Sequence, residues 1–177
     1  MNVVKKVYRL LRANKTSDFV WNDLKQTMEK ENFHNGVFES NKCIELQFNN
    51  NDKSIGTYFI SIYEESNTIT GFTNIIESYN DDRTIDLFVL ASHFNSRLNK
   101  GIVTINTESS NVSFMVTGDL FSHSIFPENS LDMLEYLYHS SNDIRWAFNR
   151  LLTTDQDPVF VFSELLDRKS DSSKSEK

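Results

Sequence analysis

Residues 43–48 read CIELQF and residues 57–64 read TYFISIYE. In the first run Ile44, Leu46 and Phe48 alternate with Glu45 and Gln47. In the second, Tyr58, Ile60 and Ile62 alternate with Phe59, Ser61 and Tyr63. Successive side chains on a strand point to opposite faces, so a period of two marks a half-buried β-strand. Residues 49–54 make a polar turn between the runs, and residues 65–67 turn the chain into a third β-rich run, 68–76. Links this short favour an antiparallel meander, because a crossover to a parallel strand needs a dozen or more residues.

Upstream, the period is helical. Val20, Leu24 and Met28 recur every four residues, Thr16 or Ser17 is placed to cap, and Asp18 falls in the first turn, where an acid suits the helix dipole. This helix should end near Lys30, before Asn35-Gly36. Residues 3–12 set Val3, Val4, Val7, Leu10 and Leu11 among Lys5, Lys6, Arg9 and Arg12, the pattern of a short basic amphipathic helix. Downstream, Asp81-Asp82 precede a helix over 83–100 carrying Ile85, Phe88, Leu90, Ala91, Phe94 and Leu98. Gly101 follows as a left-handed cap. Strands are expected near 102–106 and 112–117, and residues 121–129 read as irregular. Ser130 opens a last helix with Leu131, Leu134 and Leu137; a break at 140–142 precedes Ile144, Ala147, Phe148 and Leu151. Pro158 stops that helix. Residues 159–166 fit helix or strand, and residues 167–177 read as a disordered tail. The reading is one α+β domain over 16–166, with a basic helix over 1–15 in front.

The stretch Phe94-Asn95-Ser96-Arg97-Leu98-Asn99-Lys100-Gly101-Ile102-Val103-Thr104-Ile105, followed by a hairpin and by Ser130-Leu131-Asp132-Met133-Leu134, resembles the YbjN-like family of sensory transduction regulators. That family has the fold of the type III secretion chaperones. The resemblance covers the elements from about residue 16 to residue 153. It implies an α-βββ-α-ββ-α order, a five-stranded antiparallel sheet with helices on one face, and a cytoplasmic, bacterial, commonly homodimeric protein that handles other polypeptides. The family offers no catalytic residues to carry over.

Charge narrows the function classes. The chain carries −7 overall, and Lys5, Lys6, Arg9, Arg12 and Lys15 give residues 1–15 a charge of +5, so −7 less +5 leaves −12 for the rest. A nucleic-acid partner requires a basic face that this acidic body does not offer. Fourteen Phe, six Tyr and two Trp supply the apolar surface a folded core needs. The single cysteine, Cys43, cannot form an internal disulfide, which fits a reducing compartment. No apolar run reaches the roughly 20 residues of a membrane span.

Catalytic and metal patterns are missing. His34, His93, His123 and His139 are not spaced as zinc ligands, and Cys43 has no neighbouring Cys or His. Gly-x-Ser-x-Gly, the Walker pattern and Gly-x-Gly-x-x-Gly are absent. Glu64-Glu65 and Asp81-Asp82 could hold Mg²⁺ or act as acids, but a strand end and a helix N-terminus account for them structurally. No cofactor is expected. The candidate protein-binding residues are Tyr58, Phe59, Tyr63 and Phe72 on adjacent strands; a two-sided core would use the same residues. The expected function is non-enzymatic polypeptide binding, chaperone-like or regulatory. The alternatives are a membrane-surface adaptor using residues 1–15, and an enzyme with an unrecognised site.

Overall fold

The computed structural model describes residue 4, residues 16–31, residue 33, residues 35–126 and residues 128–175. The expected basic helix over 1–15 lies outside the described residues except for Val4, as does His34. The elements are α1 (Thr16–Lys30), β1 (Asn35–Phe38), β2 (Cys43–Asn49), β3 (Ile55–Tyr63), β4 (Thr68–Ile76), α2 (Thr84–Asn95), β5 (Ile102–Asn106), β6 (Asn111–Asp119), α3 (Leu120–Ile125), α4 (Glu128–Thr153) and α5 (Pro158–Ser175). The strands form a six-stranded sheet in the order β1-β2-β3-β4-β6-β5. The meander of β2, β3 and β4 is therefore as expected, with β1 added at one edge. Its four residues, Asn-Gly-Val-Phe, are too few to alternate visibly, and Asn35-Gly36 looks like a stop. By its internal contacts the chain groups into two compact units.

The first unit holds Met1–Thr73 and Val116–Tyr138. Val20, Trp21, Leu24 and Met28 bury the inner stripe of α1. Ile44, Leu46, Tyr58, Ile60 and Ile69 supply the sheet's share of this core. Gly71 lets α4 lie close to β4: a Cβ there would stand 3.1 Å from Leu137 Cδ2 and 3.6 Å from Met133 Cε. Polar side chains fasten α1. Lys42, itself in a left-handed conformation at φ 46°, donates to Asp18 Oδ1 at 2.6 Å, to Ser17 Oγ at 3.2 Å and to Glu64. Trp21 Nε1 and Lys25 Nζ both donate to Glu39, at 2.7 and 2.6 Å. The expected irregular stretch contains the short helix α3, whose first turn is capped by Asp119 accepting from the Ser122 amide at 2.8 Å.

The second unit holds Asn74–Met115 and His139–Lys177. Helix α2 ends at Asn95, short of Lys100, because the Asn95 side chain is committed to β5. It accepts from the Val103 amide at 2.8 Å and donates to the Val103 carbonyl at 3.0 Å. Gly101, at φ 86°, serves the turn into β5 instead of a helix cap. No break interrupts α4 at residues 140–142; Ser141 and Asn142 are buried within it. Pro158 does not merely stop a helix but begins α5, where its missing N–H costs nothing. Residues 159–166 are thus helical. The helix also continues through Ser175 into the stretch read as a disordered tail. Contacts hold it there: Lys169 Nζ reaches Asp143 Oδ2 at 2.5 Å, and the Arg168 guanidinium lies 4.1 Å from the Trp146 ring centroid.

Arg83 ties the second unit's helices together. Its Nη1 donates to the carbonyls of Leu151, at 2.7 Å, and Thr154; Nη2 donates to that of Gln156 at 2.8 Å; Nε pairs with Asp86 at 2.8 Å. The last carbonyls of a helix have no internal partner, so one guanidinium here satisfies several at once.

Candidate functional site

Strand register in the first unit builds two unlike sheet faces. Ile44 pairs with Ile60, and Ile60 with Gly71, which places this set on the face that α4 approaches. The neighbouring row pairs Gly36 with Glu45, Glu45 with Phe59, and Phe59 with Phe72, and therefore faces the opposite way. Along this second face Glu45, Thr57, Phe59, Ser61, Thr68 and Phe72 are all half-exposed. Phe59 and Phe72 hold their ring centroids 6.1 Å apart.

Phe38 extends the aromatic row toward the sheet edge. It pairs with Cys43, so it shares the face of Glu45 and Phe59. A Cβ at Gly36 would lie 3.6 Å from Phe38 Cε2, so the ring leans over the glycine. Phe38 is 47% exposed and its neighbour Val37 is exposed as well. Among the described residues, strand β1 has β2 on one side and no strand on the other. Glu45 lies amid this row and makes no ion pair among the described residues; its one polar contact is from Gln47 Nε2 at 3.4 Å.

The four expected residues therefore do not share one face. Phe59 and Phe72 are adjacent on the open face, and Tyr63 lies at its far end, 53% exposed. Tyr58 is on the opposite face, fully buried, with its hydroxyl donating to Asn50 Oδ1 at 2.8 Å. The alternation of β3 itself separates Tyr58 from Phe59. Phe38 is the residue that the sequence reading missed. The only signal for it is an apolar pair, Val37-Phe38, just before the first alternating run.

The same unit has an apolar hollow of about 370 Å³ lined by Phe33, Phe48, Asn49, Leu131, Leu134, Glu135 and Tyr138. Its walls are joined by ring contacts and a hydrogen bond. Phe48 meets Phe33 and Tyr138 edge-on, and the Tyr138 hydroxyl donates to the Asn49 carbonyl at 2.9 Å.

Two of the acids weighed for chemistry, Glu64 and Asp82, are engaged in side-chain contacts. Glu64 is held below its ordinary pKa by the Lys42 ammonium and the Ser17 hydroxyl, and Glu39 by Lys25 and Trp21. Lys42 loses some affinity for its proton through burial, but Asp18 and Glu64 outweigh this and leave its pKa raised. Asp82 accepts from Asn80 Nδ2 at 3.0 Å. His123 Nδ1 and Ser130 Oγ are 3.0 Å apart, yet both residues are buried, which denies a substrate access to the hydroxyl. No cluster of metal-ligating side chains forms among the described residues. No helix among them is long and apolar enough to cross a membrane.

No family model and no curated protein matches the sequence. Solved structures do match the fold. A chain of the ExsC–ExsE complex superposes with a TM-score of 0.56 at 10% identity, over 77% of this chain and 95% of that one. YbjN from E. coli gives 0.47 at 9% identity, over 67% and 86% of the two chains. The Yersinia pestis type III secretion chaperone SycH, in complex with a fragment of YscM2, gives 0.44 at 9%, over 72% and 97%. The protein thus shares its α+β fold with a chain of the ExsC–ExsE complex, and it has the element order expected from residues 16–153 with one further edge strand and the short helix α3.

Proposed function

We propose that this protein is a non-enzymatic, chaperone-like module that binds an extended, apolar segment of another polypeptide along β1 and the open face of the first unit. The row Phe38, Phe59 and Phe72, running from a sheet edge that no described strand pairs, carries this reading. An edge strand offers main-chain donors and acceptors in register, and a segment laid against it gains backbone hydrogen bonds while alternate side chains find pockets. Aromatic rings at such a surface provide large contact area at low entropic cost. Glu45, with no cation opposite it among the described residues, favours a segment with Lys or Arg between its apolar residues. The likeness to a chain crystallised as part of the ExsC–ExsE complex supports the same role. The single thiol, Cys43, is unpaired and buried, in keeping with work in the cytoplasm.

Selection from a displayed library of 12-residue peptides tests this directly. The expected winners alternate apolar residues with a basic residue between them, and lose affinity for a Phe38→Ser, Phe59→Ser double variant. Equal binding to that variant would sink the proposal.

The protein also works as a homodimer in this reading. One side of α2 buries Leu87, Leu90, Ala91 and Phe94, and the other presents Ile85, Phe88 and Val89, with Ile85 79% exposed. Positions 85, 88 and 89 lie on one helix face. Such an uncovered stripe suits burial against its twin.

A further inference from the structure

The second unit has a smaller groove, about 210 Å³, between the end of α2, the second half of α4 and α5. Phe94, Leu98, Ile144, Phe162, Leu165 and Leu166 give it an apolar lining. Sites for drug-sized molecules occupy about 300–1,000 Å³. This groove is smaller, and its size suits one large apolar side chain.

Its polar rim is cationic. The Arg97 guanidinium lies 5.7 Å from the Phe162 ring centroid and makes no ion pair among the described residues. Lys169 shares the rim, paired with Asp143 at 2.5 Å. Two cations against one carboxylate leave a net positive rim on a protein whose charge is −7. Phe162 is fixed beneath Arg97 by His93 stacked on it at 5.4 Å and by Phe94 edge-on at 5.1 Å. An arginine held over an aromatic ring keeps its outer N–H groups for a planar anion, and a carboxylate matches that fork.

We propose that this groove binds the C-terminal residue of a peptide that ends in Leu or Phe. The side chain enters the apolar groove while the free carboxylate meets Arg97. A terminal residue combines the two groups this site needs, one large apolar side chain and one anion, on a single Cα. The inference rests on the polypeptide-binding reading but uses a different surface from the open sheet face.

The test is NMR titration of the full chain with three probes: N-acetyl-Ser-Gly-Ser-Leu with a free carboxyl group, the same peptide as its C-terminal amide, and octanoate. The free acid is expected to move the resonances of Leu98, Ile144 and Leu165. Affinity should fall about tenfold or more for the amide, and likewise for the acid against Arg97→Gln, since a hydrogen bond to a charged group is lost. Arg97 is exposed, so the substitution should leave folding intact; a Lys53→Gln variant, which removes an exposed cation that does not line the groove, should bind the acid unchanged. Equal binding of acid and amide overturns the proposal, as does binding of octanoate without the peptide. If the groove stays silent while selected extended peptides still shift Phe59 and Phe72, only this inference falls. If neither surface responds to any peptide, the module reading falls with it.

Discussion

Phe59 and Phe72 stand opposite each other on β3 and β4, with ring planes inclined at 37° and centroids 6.1 Å apart on a half-exposed face. Cross-strand aromatic pairs contribute about 0.5–1.5 kcal/mol beyond the area they bury. A double-mutant cycle with Phe59→Ala and Phe72→Ala, followed by urea unfolding, should therefore return a coupling of about that size. Both single variants should stay folded, because neither ring is fully buried. Zero coupling would mean that the rings touch without supporting each other.

Gly118 leaves room that the buried His123 needs. A Cβ on residue 118 would stand 2.5 Å from His123 Nε2 and 3.4 Å from Ile69 Cγ2. His123 cannot swing away freely, since its other ring nitrogen is 3.0 Å from the buried Ser130 Oγ. Gly118→Ala should destabilise the fold by about 1–3 kcal/mol, the usual cost of overpacking. Adding His123→Ala should recover part of that loss. An unchanged denaturation midpoint for the glycine variant would contradict the packing described.

The pins on α1 make stability depend on pH with a definite sign. Glu64 is lowered by Lys42 and Ser17, and Glu39 by Lys25 and Trp21, both from an ordinary 4.5. A depressed carboxylate contributes fully above its unfolded value and loses the contribution as pH falls through its folded value. The stability difference between the native chain and Glu64→Gln should therefore be constant from pH 7 to 5 and shrink below 4.5. Lys42 is raised from an ordinary 10.5, so its contribution persists below that value and disappears on the alkaline side. A difference that grew on acidification would reverse the assignment.

The alternation of 43–48 and 57–64 made the meander legible, because each strand has one covered and one open face. It could not tell which face was covered, and so Tyr58 was grouped with Phe59 although their parity differs. Strand β1 was hidden by its length and by Gly36, which carries no side chain to alternate. Ser141 and Asn142 looked like a break because they are polar, yet both are buried in α4. The end of α5 was hidden for a related reason: it is held by Lys169–Asp143 and Arg168–Trp146 contacts, to which hydrophobic periodicity is blind. Phe59 and Phe72 were legible as site candidates, whereas Phe38 needed the register of β1 to be seen.

Arg83 should be the most sensitive charged residue of the second unit. Its guanidinium donates to three main-chain carbonyls around the end of α4 and pairs with Asp86. Arg83→Ala removes all of these at a partly buried position and should cost about 2–4 kcal/mol. Arg83→Lys keeps the charge but not the planar fork, so it should recover only part of the loss. Full recovery by lysine would show that charge alone matters there.

The outward stripe of α2 gives the last prediction. Ile85, Phe88 and Val89 are exposed although their helix buries Leu87, Leu90, Ala91 and Phe94 behind them, so nothing in the core requires their hydrophobicity. If the stripe is covered by a twin, a charge placed on it must be desolvated on association, a cost that the lost apolar contact cannot offset. Sedimentation of the full chain should give a dimer, and Ile85→Asp with Phe88→Asp should give a folded monomer with an unchanged far-ultraviolet spectrum. Because these side chains are already exposed, the substitutions test association separately from folding. A native chain that sediments as a monomer at high concentration would rule the dimer out, and the stripe would then need another partner.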